Sequence, residues 1–383
     1  MRIHELAGVP RVTAGAGAHR QVGPIAAALA GDVQNAFLVV DPGLAATGLV
    51  EEVRTSLAKA GLAVILFTDL KSDPTIAQAD RAAAAAREAR ASIVVSVGGG
   101  SALDLGKAVA AIAPDPRSAL AYELGRAPLP QRPLAKICVP TTSGTGSETT
   151  RTAILTRADH AKVWLWGDAL KADEVVLDPE FTVSLPAHLT AATGIDAFVH
   201  AVEAATNRNA NPFGDIFAHE AIRLVAGHLS RAVEHPRDLA ARAVMQRAAT
   251  FAGIAIDNCG TAIAHAIGHA MGSLRPIHHG RAVGIAMLAS LPWSIEDNED
   301  RFAACALAMG ADPEASAFVA AYEKLLRSIG LKVAIADEFA GISPEILAAQ
   351  AARPENAAMR AANRRAVSEA DLLAFADNVL SVA

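Results

Sequence analysis

Asp196 and His200 stand four residues apart in Thr193-Gly-Ile-Asp196-Ala-Phe-Val-His200, and Ala264-His265-Ala-Ile-Gly-His269 repeats the spacing. Ile277-His278-His279-Gly280 follows, with His279 ten residues after His269. On a helix, residues four apart project from one face. The surroundings are apolar, and Asn258–Leu274 contains no Asp, Glu, Lys or Arg. A carboxylate and several imidazoles buried there are costly unless something satisfies them. A divalent cation does so directly. Any single pair is explained as well by a satisfied core histidine or a helix-surface ion pair, but the whole cluster favours metal. Oxygen and nitrogen donors without thiolate suit Fe²⁺ or Zn²⁺ and argue against a structural zinc site.

A second chemistry is suggested upstream. Ile93–Val97 reads as a strand, Gly98-Gly-Gly-Ser101 as a turn and Ala102–Ile112 as a helix. Strand, glycines and helix in that order let backbone N–H groups at a helix N-terminus approach a phosphate. The spacing is not Gly-x-Gly-x-x-Gly, so alone the motif is equally a tight β–α turn. Pro140-Thr-Thr-Ser-Gly-Thr-Gly-Ser-Glu148 then follows a buried strand with five hydroxyls and two glycines in nine residues. It can donate to phosphate or ribose oxygens, or simply turn the chain. Two such loops at strand ends of one α/β domain favour a nucleotide crevice.

The elements that must carry these residues follow from periodicity. Phe37–Val40, Leu62–Phe67, Ile93–Val97 and Lys136–Val139 are short apolar runs, with helical patterns at Leu49–Ala60 and Ile76–Arg90. That alternation predicts a mostly parallel sheet covered on both faces. Ala153–Thr156 and Lys162–Trp166 read as extra strands outside the repeat. After about Pro186 only helical periodicity remains, broken at Asn211-Pro212, His235-Pro236 and Ser343-Pro344. The expected organisation is an α/β domain over 1–186 and an all-helical domain over 187–383, packed closely around a cleft.

Composition excludes several classes. The 383 residues are 52% apolar and 19% charged, which excludes disorder. Net charge is −6 with no basic run, so nucleic acid is an unexpected partner. Three scattered cysteines, Cys138, Cys259 and Cys305, indicate neither a disulfide scaffold nor a thiolate site. With no apolar leader or spanning stretch, a cytoplasmic protein away from the membrane is expected.

Gly98-Gly-Gly-Ser-x-x-Asp104-x-x-Lys107, Pro140-Thr-Thr-x-Gly-Thr-Gly-Ser-Glu148, Asp178-Pro-Glu, Thr193-Gly-x-Asp196-x-x-x-His200-x-x-Glu203, His265-x-x-x-His269 and His279-Gly280 together resemble the iron-containing (group III) alcohol dehydrogenases. The matches keep the family's order and spacing from Asp41 to Asn363. The resemblance implies the dehydroquinate-synthase-like fold: a Rossmann-like parallel-sheet domain, then an all-helical one, in a homodimer or higher homo-oligomer. It implies metal ligands at Asp196, His200, His265 and His279, and a catalytic His269 close to nicotinamide and substrate. Cofactor positions fall on Asp41, Gly99, Gly100, Ser101, Asp104, Thr141, Thr142 and Lys162. His278, Trp164-Leu-Trp166 and the segment Lys171–Glu174 depart from the family's pattern near the cofactor loop and beside a ligand.

The implied activity is hydride transfer between NAD(H) and a small alcohol, aldehyde or ketone, with Fe²⁺ (or Zn²⁺) polarising the oxygen; His269, or a water it holds, relays the proton, or equally serves packing or cofactor contact. NAD is expected over NADP, because Asp41 ends a strand where a carboxylate accepts from ribose hydroxyls and repels a 2′-phosphate. Its other reading is a cap for the turn Asp41-Pro-Gly43. Maleylacetate-reductase-like and dehydroquinate-synthase-like enzymes are the alternatives; eight lysines in the whole chain count against the phosphate-bearing substrate of the latter. A metal-bearing nucleotide sensor is the non-enzymatic one. Phe198, Phe251, Asn258 and Leu274 are candidates to line the substrate pocket.

Overall fold

Apolar runs too short for helices alternate with Ala-rich stretches through the first half, and the computed structural model, which describes residues 3–382, turns them into a six-stranded parallel sheet. Its elements in chain order are β1 (Arg11–Ala14), α1 (Val22–Ala30), β2 (Asn35–Val40), α2 (Leu49–Lys59), β3 (Ala63–Phe67), α3 (Ile76–Glu88), β4 (Ile93–Gly98), α4 (Gly100–Ile112) and β5 (Ala135–Pro140). The antiparallel pair β6 (Thr152–Thr156) and β7 (Lys162–Trp166) forms a separate small sheet, and β8 (Glu174–Leu177) returns to the main one.

The strand order is β1-β8-β5-β4-β2-β3. From β2 the chain moves outward to β3, then crosses back to lay β4 on the other side of β2. Such a reversal is a topological switch point, and it opens a crevice at the carboxyl ends of the two strands. Val40 lies level with Val97, and Gly98 with Pro140, so β2, β4 and β5 end at nearly one height. β2, β4 and β5 are buried almost end to end, as continuous apolar strands in a covered sheet should be. β1 and β3 are the half-exposed edges.

The described residues divide into two compact units: Gly8–Thr142 with Gly146–Ser184, and residues 185–382 with Ser143–Thr145 and residues 3–7. The second unit is helical among the described residues. It contains α5 (Ala187–Thr206), α6 (Pro212–Glu234), α7 (Leu239–Cys259), α8 (Ile263–Leu274), α9 (His279–Ile295) and five further α-helices. Asn211 caps α6 by accepting from the N–H groups of Phe213 and Gly214, and Pro212 supplies the first helical turn. α5 is buried along most of its length.

Three glycines bring α5, α8 and α9 together. A Cβ on Gly280 would lie 2.0 Å from the Ala192 carbonyl oxygen, one on Gly268 2.6 Å from Val283 Cγ1, and one on Gly284 2.7 Å from Ile195 Cγ2. Without those glycines, His265 on α8 and His279 on α9 would stand farther from Asp196 on α5.

Candidate active site

The helix spacing does what it predicts in the helical unit. Asp196 Oδ1 is surrounded by three imidazoles, with Nε2 of His279 at 3.5 Å, of His265 at 3.7 Å and of His200 at 3.9 Å. These separations are too long for hydrogen bonds. They are slightly wider than the roughly 3–3.4 Å between neighbouring ligands that each sit about 2.1 Å from one shared ion. Asp196, His265 and His279 offer ligand atoms that all lie within 4.8 Å of one another; His200 stacks on His265 at 4.4 Å and stands just outside that trio.

Asp196 Oδ1, His265 Nε2 and His200 Nδ1 are buried and have no hydrogen-bond partner among the described residues. Orphaned polar atoms of this kind are rare in folded proteins. Two of the three face a common point, and a cation there would satisfy both. Burial by itself would raise the Asp196 carboxyl, but His200, His279 and His265 outweigh it and hold the group well below the usual carboxylate range. Burial pushes His200 down to about 4 even though Asp196 opposes it. For His265 burial acts downward, but Glu203 and Asp196 prevail and lift it to about 9.

Glu203 is the residue whose role the sequence motif does not disclose. Its carboxylate accepts from His265 Nδ1 at 2.6 Å and from the N–H groups of Ala262 and Ala264, each at 2.7 Å. It therefore closes the N-terminal end of α8 and fixes the ring of His265 with Nε2 toward Asp196. The available signal is position: Glu203 is three residues after His200 on a helix whose other acidic residue is Asp196.

His269 is half-buried, its ring 5.2 Å from that of His279 and 6.4 Å from that of His265. His278 precedes α9 and accepts from the Gly280 N–H at 3.2 Å, so it caps the helix that begins with His279. One pocket candidate needs correction. Phe198 is fully buried and stacks on Tyr322 at 5.4 Å, inside the helical core rather than on a pocket wall. Asn258 is also engaged: its side chain accepts from the Ala7 N–H and donates to the Ile254 carbonyl.

In the sheet unit the glycine turn sits at the switch point. A Cβ on Gly98 would lie 2.5 Å from Ala102 Cβ and 3.1 Å from Asp41 Cβ, so glycine lets the turn pass close to the end of β2. Gly99 opens α4 in extended conformation with no side-chain cap, leaving backbone donors at the helix start for a ligand. A Cβ there would press on Thr142 Cγ2 at 3.2 Å. Asp41, Gly99, Gly100, Thr141 and Thr142 thus gather where β2, β4 and β5 end. Asp41 Oδ1 accepts from the Gly43 N–H at 2.9 Å, so one oxygen does cap the turn.

Asp104 is differently placed. One carboxylate oxygen accepts from the Ser147 hydroxyl and the other from the Ile154 N–H at 3.0 Å. Beside it the fully buried Lys107 ammonium donates to the carbonyl of Ser147 at 2.7 Å and to the Thr150 hydroxyl at 3.2 Å. The two side chains tie α4 to the hydroxyl-rich loop and to β6. Lys162 and Ser101 both meet the turn that carries Asp73.

The family model for iron-containing alcohol dehydrogenases matches residues 10–179, and the model for the C-terminal domain of that family matches residues 190–380. The NAD-dependent methanol dehydrogenase of Bacillus methanolicus is 32% identical over 318 residues, 83% of each chain. The chain belongs to the iron-containing alcohol dehydrogenase family. Long-chain-alcohol dehydrogenase 1 of Geobacillus thermodenitrificans is 40% identical over 253 residues, 66% of this chain and 64% of that relative's length. The crystal structure of a 1,3-propanediol oxidoreductase superposes with a TM-score of 0.90 at 31% identity, covering 99% of this chain and 100% of that one. Membership makes this chain an NAD(P)-dependent oxidoreductase that interconverts alcohols and carbonyl compounds. Among the described residues no helix is long and apolar enough to cross a membrane.

Proposed function

We propose that Asp196, His200, His265 and His279 hold one divalent cation, iron or alternatively zinc, and that the glycine turn after β4 holds NAD. The orphaned Asp196 Oδ1, ringed by three imidazole nitrogens at 3.5–3.9 Å, carries the first half. One acidic and three neutral donors suit either metal. When bound, the cation polarises an alcohol or carbonyl oxygen and the nicotinamide takes or returns the hydride.

The chain's own residues do the rest. Glu203 holds His265 in the tautomer that leaves Nε2 for the ion. His269, half-buried beside His279, exchanges the hydroxyl proton with solvent, directly or through a water. Gly98 and Gly99 let the turn close on Asp41, Ala102 and Thr142 and leave the backbone N–H groups at the start of α4 for the pyrophosphate, Thr141 and Thr142 flank it, and Asp41 selects NAD over NADP with the carboxylate oxygen not given to Gly43. Asp104, with both oxygens held by the protein, positions the hydroxyl loop instead of touching the cofactor. The family resemblance also supports a homodimer working in the cytoplasm on a small alcohol, aldehyde or ketone.

The test is a panel of alcohols with NAD and of aldehydes with NADH, with Fe²⁺ or Zn²⁺ added to metal-free protein, followed by the absorbance of reduced nicotinamide. Turnover restored by either ion and lost on chelation is expected. Full turnover in metal-free protein would overturn the metal assignment.

A further inference from the structure

Lys162, at the start of β7, donates from Nζ to Asp73 Oδ1 at 2.8 Å. The Asp73 N–H in turn donates to Ser101 Oγ at 3.2 Å, in the first turn of α4. Asp73 adopts a left-handed backbone, with φ 57°, immediately before Pro74. The following residues are anchored: the Pro74 carbonyl accepts from the Thr156 N–H at 2.8 Å, and Thr75 caps α3 with a capping box. Thr156 is also the register partner of Lys162 across the β6–β7 hairpin. The turn is thus fixed at Asp73 and just after it, and it delivers a carboxylate to an ammonium beside the N-terminal end of α4. That helix end favours an anion, and Lys162 reinforces it. Asp73 works against both.

The exposures differ in a useful way. The Lys162 side chain is 13% exposed and that of Asp73 is 58% exposed. The ammonium is held in place, while the carboxylate can turn into water at little cost.

We propose that Asp73 is a resident counter-ion of Lys162 that a dinucleotide phosphate must displace, so that Asp73 lowers cofactor affinity and speeds cofactor release. This rests on the dinucleotide reading above. Asp73 acts through Lys162 and is a positioning residue; it touches neither substrate nor the transferred hydride. Its carboxylate competes with an arriving phosphate for the Lys162 ammonium, and salt weakens that ion pair.

The experiment compares the NADH dissociation constant, by nicotinamide fluorescence at low and high salt, for the full-length parent, Asp73→Asn, Lys162→Met, the double variant and Gly99→Val. Asparagine keeps the length and tolerates the left-handed backbone, so the turn survives. Asp73→Asn should bind about two- to fivefold more tightly at low salt, as expected for removing one exposed competing ion pair. The gain should shrink at high salt and vanish in the Lys162→Met background. Unchanged or weaker binding by Asp73→Asn, or an equal gain without Lys162, overturns the proposal. Gly99→Val separates the two levels. If it binds NADH normally, the dinucleotide reading falls and this proposal with it; if it binds poorly while Asp73→Asn gains nothing, only the counter-ion role falls.

Discussion

Two buried histidine–carboxylate clusters, one in each unit, use the same residue types to opposite ends. In the sheet unit, fully buried His19 gives Nδ1 to Asp178 Oδ2 at 2.6 Å and Nε2 to Glu52 Oε2 at 2.9 Å. Its backbone N–H reaches the same Asp178 oxygen at 3.1 Å, and Asp178 Oδ1 accepts from the Glu180 N–H at 3.0 Å. In the helical unit, Asp196 Oδ1 and His265 Nε2 have no such partner among the described residues. Crowding does not separate the clusters, since His19, Asp178 and Glu180 also lie within ligand-sharing distance. Satisfaction does. A histidine with both nitrogens hydrogen-bonded to carboxylates is a strut between β1, β8 and α2, whereas one steered by Glu203 with its other nitrogen orphaned is what the proposed ion site requires.

The sharpest way to break this contrast is to remove a donor from the open cluster. His265→Ala should lose metal and more than about 100-fold of turnover, since even changes to a ligand's supporting residues cost 10–100-fold. Elemental analysis and NADH absorbance check it, with circular dichroism confirming the fold. Next in size is the supporting residue itself. Glu203→Gln keeps the shape but loses the anionic acceptor, and should weaken metal binding about 10–100-fold in a chelator competition.

The closed cluster should respond in stability and not in metal. His19→Ala removes one partner of a buried pair and should cost about 3 kcal/mol, read by urea unfolding, with metal content unchanged. The pH dependence has a definite sign. Burial lowers the His19 pKa, but the hydrogen bonds to Glu52 and Asp178 more than reverse that, so the folded value lies above the ordinary 6.5. Its contribution is then fully present below about pH 6.5 and fades as pH rises through the elevated value. The parent should lose more stability than His19→Ala between pH 6 and pH 9.

The smallest effect concerns cofactor choice. Asp41→Gly should shift the NAD-to-NADP ratio of kcat/KM toward NADP by about tenfold, the equivalent of roughly 1.4 kcal/mol of relieved repulsion. A parallel loss with both cofactors would mean that Asp41 serves only the turn at Gly43.

Legibility in the sequence follows the same divide between local and tertiary signals. β2, β4 and β5 are readable because strands buried on both faces are continuous apolar runs. β1 and β8 are not: each has four residues, one carries Arg11 and Thr13, and the other opens with buried Glu174, which Thr13 and Arg11 satisfy across the ladder. The proposed metal site announces itself through the four-residue spacing of Asp196–His200 and of His265–His269, with His279 following at the start of the next helix. The role of Glu203 does not, because its partners Ala262 and Ala264 are backbone groups some sixty residues away, at 59 and 61 positions. Phe198 shows the converse error. An aromatic two residues from Asp196 projects from the helix toward Tyr322 and the core, a direction that neighbouring sequence does not reveal.

The most direct test of the contrast is calorimetric titration of metal-free protein with Fe²⁺ under anaerobic conditions, beside Asp196→Asn and Asp178→Asn. One equivalent should bind the parent and Asp178→Asn alike, with binding lost or strongly weakened in Asp196→Asn. Unaltered binding by Asp196→Asn, or binding lost in Asp178→Asn while it remains folded, would contradict the account.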